Sequence, residues 1–359
     1  MHISKIVVQN FRNFKSRLFN FPDSFIVLEG KNGIGKTNLL ESIYLLCTGK
    51  SQRKSKRDEM VNFSSDSFYV EGEFNNKSST LNVGVSYCKT KKVTFFLEHT
   101  KKENFFDWFG KRPVMSFNSE DLFLITGSPE NRRKFLDLFG SYVDTSYLHL
   151  IISYRDLILR KNSLLRKNFN EIQCQLYDEK LAAIGSEILL RRNELINYLI
   201  CFFSDLYKEI SNNSDQVKIE YESSLDLSKC SKNTCKNVFY DKLIKFRKRD
   251  REAGFSTFGP HREDLKIFIN GKNSKNFASQ GQCRSLSLAL KLSSSIALEK
   301  NFNDQSIYLI DDTVAELDTI RLERFFSLLK NRGQIFLATP LGRLIYNKNY
   351  FYVNVSDNA

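Results

Sequence analysis

The residues Gly30-Lys31-Asn32-Gly33-Ile34-Gly35-Lys36-Thr37 satisfy the spacing GxxxxGK[ST] at every defined position. Glycines at these positions let backbone amides turn inward as a nest for phosphate oxygens. The helix that starts at the end of the loop adds positive potential. Lys36 is then placed to reach the terminal phosphates of ATP, and Thr37 to ligate Mg²⁺. Such a loop also needs an acid at the end of a hydrophobic strand. Ile307-Tyr308-Leu309-Ile310-Asp311-Asp312 provides two. Asp311 is expected to hold the metal shell, and Asp312 to orient or deprotonate the attacking water. Catalysis is thereby assigned to Lys36 and Asp312.

A third segment, Phe277-Ala278-Ser279-Gln280-Gly281-Gln282, precedes the acidic strand. Ser279 and Gly281 at a helix start aim a hydroxyl, an amide and a helix dipole at an anion. The same residues also read as an ordinary N-cap, Ser279, with Gln282 closing a capping box. Both can hold at once. The wide separation of the glycine loop from the acidic strand, with helices between, resembles ABC-type ATPase heads that carry an inserted arm. In those heads the Ser-Gly loop completes the site of a second subunit, so Ser279, Gly281 and Gln282 imply an ATP-dependent homodimer. Thr313-Val314-Ala315-Glu316-Leu317-Asp318 resembles the D-loop of such a seam. Where transporters carry a switch histidine there is none; Thr339 is the nearest polar residue, and slow hydrolysis is expected.

The elements that must position these groups follow from pattern. Residues 3–9 and 25–29 read as strands, and Leu39, Leu40, Ile43, Tyr44, Leu46 and Cys47 recur at helical spacing before a stop at Gly49. Alternating segments between 61 and 98 predict an antiparallel lobe. Residues 130–210 read as helical, with Ile172, Leu176, Ile184, Ile188, Leu195, Leu199 and Phe202 on one long helix that Gly185 is placed to bend. Residues 211–236 read as a polar loop with a strand at 217–221. Strands are expected at 265–269 and 306–310, a helix at 282–300, and a last strand at 333–339. The fold class expected is α/β: a P-loop ATPase head of mixed sheet plus antiparallel β lobe, with an inserted helical arm. Its divisions are 1–125, 126–250 for the arm, and 251–359.

The chain has 359 residues, 41% hydrophobic and 26% charged, a globular rather than disordered composition. Basic residues number 54 against 41 acidic, a net +13 that favours a polyanionic partner. Two basic runs, Lys50 to Arg57 and Lys245 to Arg251, are candidate phosphate contacts, although either alone also reads as a solvated face. Seven cysteines without a CxxC pair and four scattered histidines argue against a zinc site and for a reducing compartment. No apolar stretch approaches a membrane span or a signal peptide, so a cytoplasmic protein without a membrane partner is expected.

The chain closely resembles the RecF family of bacterial recombination-repair ATPases nearly end to end. The resemblance is carried by Asn10-Phe11-Arg12-Asn13-Phe14, by the glycine loop continuing as Asn38-Leu39-Leu40-Glu41, and by Ser116 to Leu122. It is carried further by Gly127-Ser128-Pro129-Glu130-Asn131-Arg132-Arg133, by Gly259-Pro260-His261-Arg262-Glu263-Asp264, and by Ser279-Gln280-Gly281-Gln282. Generic ABC heads lack the Gly-Ser-Pro-Glu-x-Arg-Arg and Gly-Pro-His-Arg elements. The chain departs from the family pattern at Ser119 (usually Pro), Glu263 (usually Asp) and Cys283 (usually Gln). Cys283 would lie near the dimer face, where it could weaken closure or make it redox-sensitive.

The resemblance implies binding to gapped DNA at single-strand/double-strand junctions. It also implies cooperation with RecR and RecO in loading RecA, a role in replication, repair and SOS induction, and a weak DNA-stimulated ATPase used as a switch. Three other readings fit less well. A transporter subunit needs the switch histidine, an SMC-like organiser needs a far longer coiled coil, and an overcoming-lysogenization-type nuclease needs an added acidic metal domain.

Overall fold

The computed structural model describes residues 1–76, 79–167, 169–227, 232–302, 304–311, 317–339 and 350–355. The chain forms two compact units, one of residues 1–121 with 295–359 and the other of residues 122–294. The second unit ends at Ser294, beyond the limit of 250 set for the arm, so the Gly-Pro-His-Arg and Ser279 segments belong to it.

The first unit contains two sheets. One is antiparallel, in the order Phe14–Asn20, His2–Phe11, Ser67–Asn75, Thr80–Cys88, Lys91–Leu97, Thr100–Lys102. Its central strand Ser67–Asn75 buries alternate residues from Phe68 to Phe74, the pattern of a sheet with one covered face. The other sheet is parallel, in the order Phe351–Asn354, Phe25–Glu29, Ile335–Ala338, Ile307–Asp311, Val114–Phe117. Ile307–Asp311 and Ile335–Ala338 are buried at every position, because a parallel sheet covered on both faces demands continuous apolar runs.

The helix Lys36–Thr48 contacts strands of both sheets. Ten of its residues are buried, six of them apolar, so it is covered almost all round, and Gly49 stops it in the left-handed conformation at φ 69°. Gln334, fully buried, accepts the Ile3 amide at 2.7 Å and donates to the Ile3 and Pro22 carbonyls at 2.8 and 2.9 Å. One amide side chain thus ties the N-terminal strand to the segment leading into the parallel sheet.

The second unit is built on the helices Pro129–Val143, Thr145–Lys167, Glu171–Ser211 and Lys232–Ala253. A three-stranded antiparallel sheet, Lys272–Asn273, Asp264–Ile269, Val217–Glu222, accompanies them. The inserted unit is therefore helix plus sheet, and the helix at 232–253 was not foreseen. Its Lys/Arg/Asp-rich sequence hides the helical period behind only a few core residues, Cys235, Phe239 and Leu243. The long helix of 41 residues is present, with Ile188, Leu195 and Leu199 buried but Ile172 and Leu176 exposed. Gly185 serves close packing: a Cβ there would meet the Phe239 ring at 2.7 Å. That contact alone is enough to account for the glycine.

Candidate functional site

The glycine loop leaves the carboxyl end of the strand Phe25–Glu29, at the edge where parallel α/β sheets receive ligands. Gly30, Gly33 and Gly35 have φ of 145°, 83° and 120°, all closed to ordinary side chains. A Cβ on Gly35 would meet the Phe14 ring at 2.7 Å and the Asn13 amide at 2.8 Å, whereas one on Gly33 would meet nothing. The loop is gripped from below and open above. Asn13 Nδ2 donates to the Ile34 carbonyl at 2.7 Å and its Oδ1 accepts from Asn38 at 2.8 Å, so one side chain holds both the loop and the first turn of the helix.

Lys36 is buried, and its Nζ donates to the carbonyls of Gly30 at 2.6 Å and Lys31 at 3.2 Å. Its charge is thus folded back across the loop onto neutral oxygens. Thr37 Oγ1 donates to Asp311 Oδ1 at 2.9 Å, across 274 positions of sequence. A single strand, Ile335–Ala338, separates the strand Phe25–Glu29 that leads into the loop from the strand that ends in Asp311. A hydroxyl and a carboxylate so placed can share a hard cation, and the loop amides and Lys36 can take a phosphate chain. Lys31, Asn32 and Gly33 are exposed along the rim. Thr339 follows the intervening strand, its amide 3.4 Å from the Leu28 carbonyl. Asp312 and residues 313–316 lie outside the described residues.

Behind the loop is an anchor that spacing alone did not reveal. Arg12 donates Nε and Nη2 to the two oxygens of Glu41 at 2.7 Å each, and the Glu41 side chain is fully buried. Arg12 also donates to the Glu59 carbonyl at 2.6 Å and to Ser55 at 2.7 Å, and Ser51 donates to Glu41. The basic run at 50–57 is therefore folded back along the helix, and Arg53 reaches Asn38 at 3.3 Å. Lys54 is spent on Glu120 at 2.6 Å. The sequence signal was the resemblance of the blocks 10–14 and 38–41, which marks both residues without pairing them.

The Ser279 segment belongs to the second unit. Gln282 N donates to Ser279 Oγ at 3.2 Å and Ser279 N to Gln282 Oε1 at 2.9 Å, a complete capping box. Gln282 Nε2 also donates to Asp215 at 3.2 Å. Ser279 and Gln280 are exposed and Gly281 half-buried, so the helix start is presented outward. Cys283 is buried, with its thiol pushed up by burial. A shielded protonated thiol is a poor redox handle, which corrects the redox expectation for it.

The family-specific segments meet one another in this unit. Arg132 forms a bidentate pair with Asp264 at 2.7 and 2.8 Å, and Arg133 donates to the Glu263 carbonyl at 2.7 Å. Arg192 joins Asp137 at 2.8 Å to the Pro260 carbonyl at 2.7 Å. Glu263 accepts from the Ser224 amide at 2.8 Å, from Ser223, and from the Tyr221 hydroxyl. Among the described residues no cluster of three or more His, Cys, Asp or Glu could hold a metal ion, and no helix is long and apolar enough to cross a membrane.

The family profile described as RecF/RecN/SMC N terminal domain matches residues 2–352. The DNA replication and repair protein RecF of Natranaerobius thermophilus is 31% identical over 351 residues, 94% of this chain and 91% of the relative. The chain belongs to the RecF family. The RecF of Geobacillus kaustophilus is 30% identical over 345 residues, 94% of this chain and 92% of that one. A solved structure of the recombination mediator protein RecF with ATP, in the RecFOR pathway, superposes with a TM-score of 0.90 at 30% identity, covering 99% of this chain and 96% of that one. An Smc head bound to the C-winged helix domain of ScpA superposes with a TM-score of 0.57 at 14% identity, covering 94% and 90%, a likeness of fold. The RecF-type head explains why the antiparallel lobe, parallel sheet and interrupting unit recur here together.

Proposed function

We propose that this chain is an ATP-dependent DNA-binding protein of recombinational repair. It binds gapped DNA at single-strand/double-strand junctions as an ATP-driven homodimer. It works with RecR and RecO to promote RecA loading, in support of replication, repair and the SOS response, in the cytoplasm. The observation that carries the reading is the 2.9 Å contact between Thr37 and Asp311 at the mouth of a glycine loop, in a chain whose relatives are named for DNA replication and repair.

The residues fit ATP and Mg²⁺. Gly33 is open where phosphate oxygens would pack, the loop amides of Gly30 to Thr37 line the nest, and Lys36 can exchange two carbonyl partners for phosphate. Thr37 and Asp311 would hold the metal, which when bound supplies charge neutralisation for phosphoryl transfer. Asp312 would orient the attacking water. Ser279, Gly281 and Gln282 would complete the nucleotide site of a second copy, which the outward-facing helix start permits. Without a switch histidine the ATPase is weak, and ATP acts as a timer for holding DNA.

Sedimentation of the protein with ATP and a gapped duplex tests this. Wild type forms an ATP-dependent dimer on DNA, Lys36→Ala does not, and Asp312→Asn prolongs it. A monomer under every condition overturns the reading.

A further inference from the structure

The cations of the run at 245–251 are not equivalent. Arg247 donates Nε and Nη2 to Asp178 at 3.1 and 2.9 Å, which neutralises it. Asp250 is fully buried, held by Lys161 at 3.1 Å and the Thr257 amide at 2.7 Å. Lys245, Lys248, Arg249 and Arg251 are exposed on the same helix. The Arg251 guanidinium lies 4.4 Å from the centre of the Phe169 ring. The chain then turns at Gly254, φ 71°, whose carbonyl accepts Arg166 Nε at 3.1 Å. Arg262 lies 4.7 Å over Phe255 and donates Nε and Nη2 to the Ser256 carbonyl at 3.1 and 2.9 Å.

One turn, 251–256, thus gathers three exposed arginines: Arg166 near the end of Thr145–Lys167, Arg251 near the end of Lys232–Ala253, and Arg262 from the Gly-Pro-His-Arg segment. Each is held by ring faces or carbonyl oxygens. Such partners fix a guanidinium in place without neutralising it, so the ordering cost of a later salt bridge is partly met and the charge stays available. Elsewhere in this unit Arg132, Arg192 and Arg247 are all matched by carboxylates. Among the described residues no ion pair engages Arg166, Arg251 or Arg262; Asp250 beside Arg251 is spent on Lys161, and Glu263 and Asp264 beside Arg262 are spent on Ser224 and Arg132, while Glu252 is exposed.

We propose that this turn docks the sugar–phosphate backbone of duplex DNA, with Arg166, Arg251 and Arg262 as phosphate contacts. Lys248 and Lys245, three and six residues before Arg251, extend the row along the helix. From 245 to 251 the row runs about 9 Å at ~1.5 Å per residue, which suits a repeating polyanion better than a single phosphate. The net charge of +13 points the same way. The inference rests on the DNA-binding reading above and locates one of its surfaces.

The test is a salt titration of duplex binding by fluorescence anisotropy, using the full chain with ATP. The triple variant Arg166→Gln, Arg251→Gln, Arg262→Gln should flatten the slope of log K against log [salt] by about two to three, at about 0.9 per phosphate contact. Arg251→Lys should keep most of the slope. Arg247→Gln, whose charge already serves Asp178, should lower the melting temperature and leave the slope unchanged. A triple variant that melts like wild type and keeps its slope overturns the inference while DNA binding stands. If the triple variant melts early, the singles Arg166→Gln and Arg251→Gln decide, each expected to remove about one from the slope; an unchanged slope in both overturns it. Loss of binding to anionic lipid vesicles with DNA binding intact also overturns it. Wild type that fails to bind duplex at all refutes the underlying reading instead.

Discussion

The nucleotide loop of the first unit and the helical frame of the second treat buried cations in opposite ways. In the first, Lys36 is withdrawn from solvent yet bonded to the carbonyls of Gly30 and Lys31, so its charge is unspent and faces an open loop. In the second, Arg132, Arg192 and Lys161 are answered by Asp264, Asp137, Asp178 and Asp250. A cation on neutral oxygens waits for an anion, and a cation on a carboxylate is already part of the frame. The difference separates cations held ready for a ligand from cations that serve the fold.

The comparison breaks if the arginine–carboxylate pairs prove dispensable. Asp264→Ala would strand the Arg132 guanidinium, whose side chain is only 6% exposed, without its charge partner. Removing one member of such a pair should cost about 3–5 kcal/mol. Urea denaturation should show that loss, with nucleotide binding at the glycine loop retained under native conditions. Unchanged stability together with lost DNA binding would make the pair a ligand site after all.

His261 sharpens the same contrast through pH. Its Nδ1 lies 3.1 Å from the Tyr154 hydroxyl and its Nε2 3.1 Å from the Ser256 carbonyl, an arrangement that suits a neutral ring with its proton on Nε2. Burial, with Arg262 and Arg133 nearby, pushes its pKa down to about 4. A base depressed on folding binds more protons unfolded, near its ordinary ~6.5. Stability is therefore full above that value and is lost as pH falls from about 6.5 toward 4. The loss should reach about 2 kcal/mol at pH 5. Urea midpoints at pH 7.5 and 5 should differ accordingly, and His261→Asn should remove this share of the difference.

Much of this was legible in the sequence, for a physical reason. A glycine loop, an apolar strand ending in Asp311 and a capped helix start are local patterns, and each was readable where it stood. So were the antiparallel lobe, whose alternation is of period two, and the long helix. The Arg12–Glu41 anchor and the pairing of Arg132 with Asp264 join residues 29 and 132 positions apart, and nothing local distinguishes them from surface charges. Resemblance marked those blocks without saying what they do. The basic run at 245–251 was legible only as a whole, because only tertiary contacts separate the neutralised Arg247 from Arg251 on its ring.

Ser279 stands on the border between the two kinds of residue, and its test is the finest. Its hydroxyl accepts from Gln282 N at 3.2 Å, and that cap alone would explain a serine there. Ser279→Ala should cost about 1 kcal/mol as a lost cap. Ser279→Asp should restore the loss, since aspartate caps as well as serine and favours the helix N-terminus. The two roles then part. If capping is the whole function, ATP-dependent dimerisation returns with stability in Ser279→Asp. If the hydroxyl also faces the phosphates of a partner's nucleotide, the added carboxylate repels them, and sedimentation with ATP shows a stable protein that stays monomeric. That outcome would place Ser279 with Lys36, among the groups held ready for a ligand, although it lies in the unit where Arg132 and Arg192 are spent on structure.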